Sequence, residues 1–489
     1  MRRGVLLAAL PLLPACATLA AALWAIAQPV GLDYAEPVIY SQALRLRLGE
    51  PLYQPIDQPP YTIAAYTPAF YVLAALLQST IGPGFAAGRV VSLASGLVAA
   101  ALIALLAARR DSGGPGGPWL GAFAALLFLG LAFPGPLPWL GLYRVDLLGL
   151  ALSLASVALL PRAVVPAGLL AGAALLTKQT FFAALLAGLV SLWLVERRLA
   201  ILFAIAALLP VALTCAVLQW STGGAFLQNT VAANINPFHP AIARDLLRTF
   251  VEAQWLPLLL ASLYLAQQRP WRAADSRLVV LYWAAASLSL IGLGKVGANH
   301  NYWLELAAAS TVLAARGGGW LLRHRAAWPA LAALAVAFGI VMGGPSGALT
   351  TAREIRGHLK APPADPDFVA LVDLVRREPR AVIAEPMDVL ALADRPVVLE
   401  PFVYNLLLDA GRWTPEPLLD RICRQDIGLL VLGYPLVSAA KLTDGLYALW
   451  PAPVLATLAA TMQLDQVTAG RYVYRPRGDC EPAQQHALS

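Results

Sequence analysis

The chain has 489 residues, 59% hydrophobic and only 13% charged, whereas about a quarter of a soluble globular protein is charged. That excludes an ordinary soluble domain and points to a polytopic membrane protein. The net charge of +7 gathers in short basic clusters between apolar runs, the pattern of cytoplasmic loops, so lipids are expected as partners and nucleic acid is not.

The first apolar run follows Arg2 and Arg3 and is too long for the core of a cleaved signal peptide, so it reads as a retained helix. Further apolar segments lie at 67–82, 86–108, 118–133, 145–160, 163–177, 180–195, 199–219, 247–266, 277–294, 303–315 and 327–343. The basic clusters are Arg2-Arg3, Arg109-Arg110, Arg162, Glu196–Arg198, Gln267–Arg272 and Arg316–Arg325. If all are cytoplasmic, an even number of crossings separates each pair, and one early segment does not cross. The short 67–82 segment, entered at a proline turn and ended by Gly82-Pro83-Gly84, is assigned as re-entrant or interfacial.

The expected architecture is an all-α transmembrane domain over 1–345, with about eleven crossings, a cytoplasmic N-terminus and a long first outer loop at 28–66. In that loop "EPVIYSQALRLRLGEPLY" opposes an apolar side to Gln42, Arg45 and Arg47 and reads as an amphipathic helix on the membrane surface. The tail, 346–489, reads as a small extracytoplasmic α/β domain. Its "DPDFVALVDLVRREPR" has an amphipathic helix pattern, and "AVIAEP", "RPVVLEPFVY" and "IGLLVLGYP" read as strands. In an oxidising compartment Cys423 and Cys480 are the candidates for a disulfide.

Ionisable residues in or beside membrane segments default to functional hypotheses. Here they collect at the outer face: Asp33, Tyr34 and Glu36 after the first span, Tyr66, Arg89, Arg144 with Asp146, and Lys178-Gln179. His239 and the stretch "GKVGANHNYWLEL" follow, the latter carrying Lys295, Asn299, His300, Asn301, Tyr302 and Glu305. Each has a plainer reading, as a snorkelling anchor, a turn residue or a local ion pair. Together they supply cations for phosphate, carboxylates for proton abstraction, and aromatic and amide groups for sugar hydroxyls. A carboxylate with a histidine, Glu36 and His239, would alternatively hold a divalent cation, the one candidate cofactor. ATP and sugar nucleotides are not the ordinary donors at an outer leaflet, and a lipid-linked phosphosugar fits this set of groups.

The order of features resembles the GT-C superfamily of integral-membrane glycosyltransferases, in particular the bacterial branch related to protein mannosyltransferases and the lipid A aminoarabinose transferase. The likeness is drawn over 1–345, on "LDYAE" after the first helix, "YTPAFY" (Tyr66–Tyr71), Arg89 in "GRVVS", Arg144-x-Asp146 and Lys178 in "LTKQ". Relatives often carry His-Pro-Pro or Tyr-Pro-Pro where this chain has "YTPAF". The resemblance implies a catalytic base at Asp33 with Glu36 as its partner, Asp146 as a second acidic position, and Arg89, Arg144, Lys178 and Lys295 toward the donor phosphate. Tyr34, Tyr66, Gln179, Asn299, His300, Asn301, Tyr302 and Glu305 would bind substrate. It implies inverting transfer of a sugar from a polyprenyl-phosphate donor to a glycan, lipid or protein outside a bacterial inner membrane. A transporter or flippase of a lipid-linked substrate is the competing expectation. It calls for ionisable groups through the midplane or at both faces.

Overall fold

The computed structural model describes residues 11–109, 117–133, 139–324, 365–443 and 447–477, with residues 329 and 445. Helices occupy the expected apolar segments: α1 (Leu12–Ala27), α3 (Ala69–Ile81), α4 (Ala86–Ala108), α5 (Pro118–Leu131), α6 (Asp146–Leu159), α7 (Val164–Thr177), α8 (Ala183–Trp193), α9 (Arg197–Ser221), α11 (Pro240–Gln268), α12 (Ala274–Ser287) and α13 (Leu304–Arg323). The first loop carries α2 (Glu36–Arg47), and α10 (Ala225–Thr230) follows α9. The expected segment at 327–343 and the boundary at 345 lie outside the described residues. Among the described residues, α4, α9, α11 and the stretch Ser276–Gly294 are long and apolar enough to cross a membrane.

These helices pack through small residues, as helices without a hydrophobic drive between them must. In α7, Gly168 and Gly172 stand four apart and bring the backbone against α9, where a Cβ at Gly172 would run into the Ala207 carbonyl oxygen. Helix α13 is central, packed against α4, α5, α11 and α12 and buried along nearly all of its first four turns. It runs past the expected end at 315, because Arg316 is no surface charge. Buried, Arg316 donates to the Ser276 hydroxyl at 3.2 Å and the Leu106 carbonyl at 3.0 Å.

The expected surface helix is also corrected. Helix α2 is buried from Glu36 to Arg45, wedged between α3 and the C-terminal unit. Its polar side is satisfied internally: Gln42 donates to the Thr62 hydroxyl at 3.1 Å, and Arg45 to the Pro51 carbonyl and the Gln54 side chain at 2.5 Å each.

The C-terminal unit opens with α14 (Pro366–Arg377). Asp365 caps it by accepting from Asp367 N–H at 3.0 Å, and Pro366 occupies the first turn. Its apolar stripe of Phe368, Leu371, Val372 and Val375 seats on a sheet. The sheet order is β1 (Ala381–Glu385), β2 (Ile427–Leu432), β4 (Arg471–Pro476), β3 (Met462–Thr468), with β1 and β2 parallel and the other pairs antiparallel. The connections include α15 (Asp388–Leu392), α16 (Pro401–Asp409) and α17 (Glu416–Cys423). Strands β1 and β2 match expectation. "RPVVLEPFVY" does not: it makes one bridge, Leu399 to Tyr61 of the first loop, and Pro401 then starts α16 because proline is pre-set for a first helical turn. Cys423 is disulfide-bonded while Cys16 and Cys215 are free. Its expected partner Cys480 lies outside the described residues.

Candidate active site

The site stands on a buried ion pair. Glu36 and Arg89 are wholly buried and meet through two hydrogen bonds, Arg89 Nε to Oε1 at 2.8 Å and Nη2 to Oε2 at 2.7 Å. Arg89 spends its remaining donors on the Ala25, Gln28 and Val30 carbonyls at 2.7–2.8 Å, at and just beyond the end of α1, where helix carbonyls lack partners. Glu36 also accepts from the backbone N–H of Leu32 at 2.7 Å and of Tyr143 at 2.6 Å. Every donor of Arg89 is used, and both oxygens of Glu36 accept twice. Neither residue is placed to receive a phosphate or a metal ion. They fix the chain on either side of Asp33 instead.

Asp33, three residues before Glu36, is partly exposed, with 21% of its side chain open to solvent. Its Oδ2 accepts from the Ala35 N–H at 3.1 Å and lies 3.2 Å from Arg144 Nη2. The Arg144 guanidinium lies over the Trp139 ring at 4.6 Å. The Trp139 indole in turn donates to Asp146 Oδ2 at 2.7 Å. Asp146 Oδ1 takes Lys178 Nζ at 2.7 Å and the Asn301 amide at 2.9 Å. Asp146 is thereby committed to holding Lys178 rather than exposed as a base. Lys178 lies 5.2 Å from the ring centroids of both Tyr66 and Tyr302, a cation–π setting.

A second ammonium faces this one. Lys295 Nζ donates to the Asn234 side chain at 2.6 Å, and its pKa is pushed down to about 8, first by burial and then by the charge of Lys178. The two cations thus lie within electrostatic reach of each other, Lys178 on the Asp146 carboxylate and Lys295 on the Asn234 amide. The phenol of Tyr66 lies within electrostatic reach of Arg144, Asp146, Asp33 and Glu400. Several buried polar atoms here have no partner: Arg144 Nε, Gln179 Oε1, Asn301 Oδ1 and Glu400 Oε2. Buried polar groups are nearly always satisfied, so these atoms have bonding capacity left for water or a polar ligand.

The remaining expected site residues make structural contacts of their own. Glu305 is buried in the bundle against the Ser153 hydroxyl at 2.5 Å and Tyr282 at 3.2 Å. Asn299 caps a short turn by accepting from the His300 N–H, and the His300 ring stacks on Trp303 at 4.9 Å. Gln179 ties two loops together by donating to the Ala65 and Thr230 carbonyls. His239 leads into α11 and donates its backbone N–H to the Gly294 carbonyl at 2.7 Å. Tyr34 packs edge-on against Phe402 and accepts its N–H at 3.2 Å. Among the described residues, no three His, Cys, Asp or Glu side chains come together as a metal site. Trp139 and Glu400 were not singled out by sequence. An indole in a loop rich in apolar residues carries no signal, and Glu400 is hidden inside a strand-like run.

The helical bundle with a long first loop and a terminal α/β unit has the GT-C fold. The chain superposes on ArnT from Cupriavidus metallidurans bound to undecaprenyl phosphate with a TM-score of 0.60 at 15% identity, over 96% of this chain and 97% of that one. Against the apo state of ArnT the TM-score is 0.59 at 16% identity, over 94% and 96%. Against the oligosaccharyltransferase AglB from Archaeoglobus fulgidus, in complex with an inhibitory peptide and a dolichol-phosphate, it is 0.55 at 11% identity, over 90% and 71%. The likeness is thus wider than the 1–345 expected, since at 96% coverage it takes in the C-terminal unit. No protein-family model and no curated protein sequence matches the chain.

Proposed function

We propose that this protein is a membrane glycosyltransferase that moves a sugar from a polyprenyl-phosphate donor to an extracytoplasmic acceptor. The observation that carries this reading is the pair Lys178 and Lys295, two cations within electrostatic reach of each other, the first held by Asp146 and the second by Asn234, together with the partly exposed carboxylate of Asp33. The pair suits a phosphate and the carboxylate suits an acceptor hydroxyl. The GT-C fold, which ArnT and AglB share, adds support. Asp33 takes the proton of the acceptor hydroxyl as its oxygen attacks the anomeric carbon. The bond from that carbon to the phosphate oxygen breaks, the configuration inverts, and the polyprenyl phosphate leaves with its charge held by Lys178 and Lys295. Arg144 orients Asp33, and Asp146 with Asn301 positions Lys178. Glu36 and Arg89 have a supporting role, and a metal ion is not required by these steps.

In this reading the chain makes about eleven crossings of a bacterial inner membrane, with α3 not crossing, the N-terminus cytoplasmic and the C-terminal unit outside.

The test is transfer by the purified protein in lipid, from undecaprenyl-phosphate sugars spanning hexoses and pentoses to envelope glycan, lipid and protein acceptors. Replacing the base, Asp33→Asn, is expected to lower the rate by about 10²–10⁴-fold with folding intact. Transfer that survives Asp33→Asn removes Asp33 from the mechanism. No transfer, with lipid moved between leaflets instead, overturns the reading in favour of a flippase.

A further inference from the structure

We infer that Glu400 of the C-terminal unit is a substrate-facing carboxylic acid that donates a hydrogen bond to a hydroxyl of the donor sugar. This rests on the glycosyltransferase reading and names a sugar-binding group for it. Glu400 is held at a defined point: its backbone N–H donates to the Tyr61 carbonyl at 2.8 Å, and Tyr61 N–H donates to the Val398 carbonyl at 2.7 Å. The C-terminal unit is thereby stitched to the first loop five residues before Tyr66. Pro401 begins α16 immediately afterwards, yet the Glu400 side chain does not cap that helix. It turns instead toward the first loop, where it accepts from the Ile63 N–H.

The other oxygen is left over. Glu400 is only 6% exposed, and its Oε2 is buried with no partner. No cation is among the groups acting on it, and burial pushes its pKa up to about 8. The groups within reach of its charge are the phenols of Tyr34, Tyr66, Tyr71 and Tyr404. A buried carboxylate without a counter-charge is costly, so the group carries its proton near neutral pH and has a donor with nothing to donate to. The Tyr66 phenol also feels Asp33 and Arg144, while Lys178 lies over its ring. On this inference the donor sugar lies along Tyr66, with its phosphate toward Lys178 and an outer hydroxyl at Glu400 Oε2.

The first experiment labels the wild-type protein in lipid nanodiscs with dicyclohexylcarbodiimide, which couples to protonated carboxyls in apolar surroundings, and locates the adduct by peptide mass spectrometry. Glu400 is expected to label below pH 8, and to be protected by a sugar-bearing undecaprenyl phosphate from the panel but not by undecaprenyl phosphate alone. A Glu400 that does not label, or that no member of the panel protects, overturns the inference. The second compares E400L with E400Q using the productive donor. E400L, which has no donor, is expected to raise the KM for the donor so that kcat/KM falls about tenfold, while the amide of E400Q keeps it within about threefold. If E400L transfers like wild type while Asp33→Asn does not, Glu400 is excluded and the transferase reading stands. If wild type transfers nothing, that reading fails and the labelling alone decides whether Glu400 meets a sugar. An E400L protein that does not fold leaves the labelling of the wild type as the deciding measurement.

Discussion

At the level of single residues, charged groups that look alike in sequence divide into two kinds. Asp33 and Glu36 stand three apart, yet one is partly exposed, with the Ala35 N–H and Arg144 as partners, while the other is wholly buried and accepts four hydrogen bonds. Breaking the buried pair from one side strands the other charge, which costs about 3–5 kcal/mol. Glu36→Ala and Arg89→Ala are each expected to lower thermal stability in detergent by that amount. The double replacement Glu36→Met with Arg89→Met is expected to cost less than either. Equal stability of the single variants and wild type would contradict the assignment. Lys295 makes a different prediction. Its pKa near 8 means that it loses its charge as pH rises through that value, so donor-phosphate affinity should fall over the same range. Binding of undecaprenyl phosphate measured from pH 6.5 to 9.5 tests this, and Lys295→Met should bind more weakly and lack that step.

At the level of elements, hydropathy located the membrane helices and missed how they touch. The run containing Gly168 and Gly172 is apolar throughout and would span a membrane equally well with leucine at either position. Only the approach of α9 makes glycine necessary, because the Ala207 carbonyl occupies the space a Cβ would need. Gly172→Leu is expected to destabilise the bundle by about 1–3 kcal/mol or more, visible as a lower unfolding temperature and reduced monodisperse yield, with Gly172→Ala milder. Helix α2 shows the opposite limit. Its apolar and polar positions alternate as on an interfacial helix, yet Gln42 and Arg45 find partners in the same loop, and the C-terminal unit covers what the pattern left for water. The hairpin of β3 and β4 escaped notice because it turns at Ala469 and Gly470, both with positive φ, without the Asn-Gly or Asp-Gly signal of such turns.

At the level of the whole molecule, the C-terminal unit roofs the site instead of trailing from it. Arg47 donates to both oxygens of Asp394 at 2.5 and 2.6 Å, Tyr40 donates to the same carboxylate at 3.1 Å, and the Ser41 hydroxyl accepts from Val397 N–H at 2.9 Å. Asp394→Ala strands these donors and is expected to loosen the roof. Hydrogen exchange at 36–47 and 393–400 should rise while exchange in α13 stays unchanged. Unaltered exchange at both segments would show that apolar contacts alone hold the unit down.

Sequence alone determined that the chain lies in a membrane, where its apolar helices fall, that an α/β unit ends it, and that Asp33, Arg144, Asp146 and Lys178 belong to one region. Those conclusions follow from composition, from a period of apolar residues, and from the cost of placing charge beside lipid. Which of those charges are free to meet a substrate was decided by tertiary structure. A carboxylate or guanidinium is spent or available according to the hydrogen bonds brought to it by residues far away in the chain. Glu36 receives Tyr143, Arg89 receives the end of α1, Asp146 receives Trp139 and Asn301, and Glu400 is carried into the site by a bridge to Tyr61. No local pattern encodes such partners, because they are fixed only when the whole fold closes.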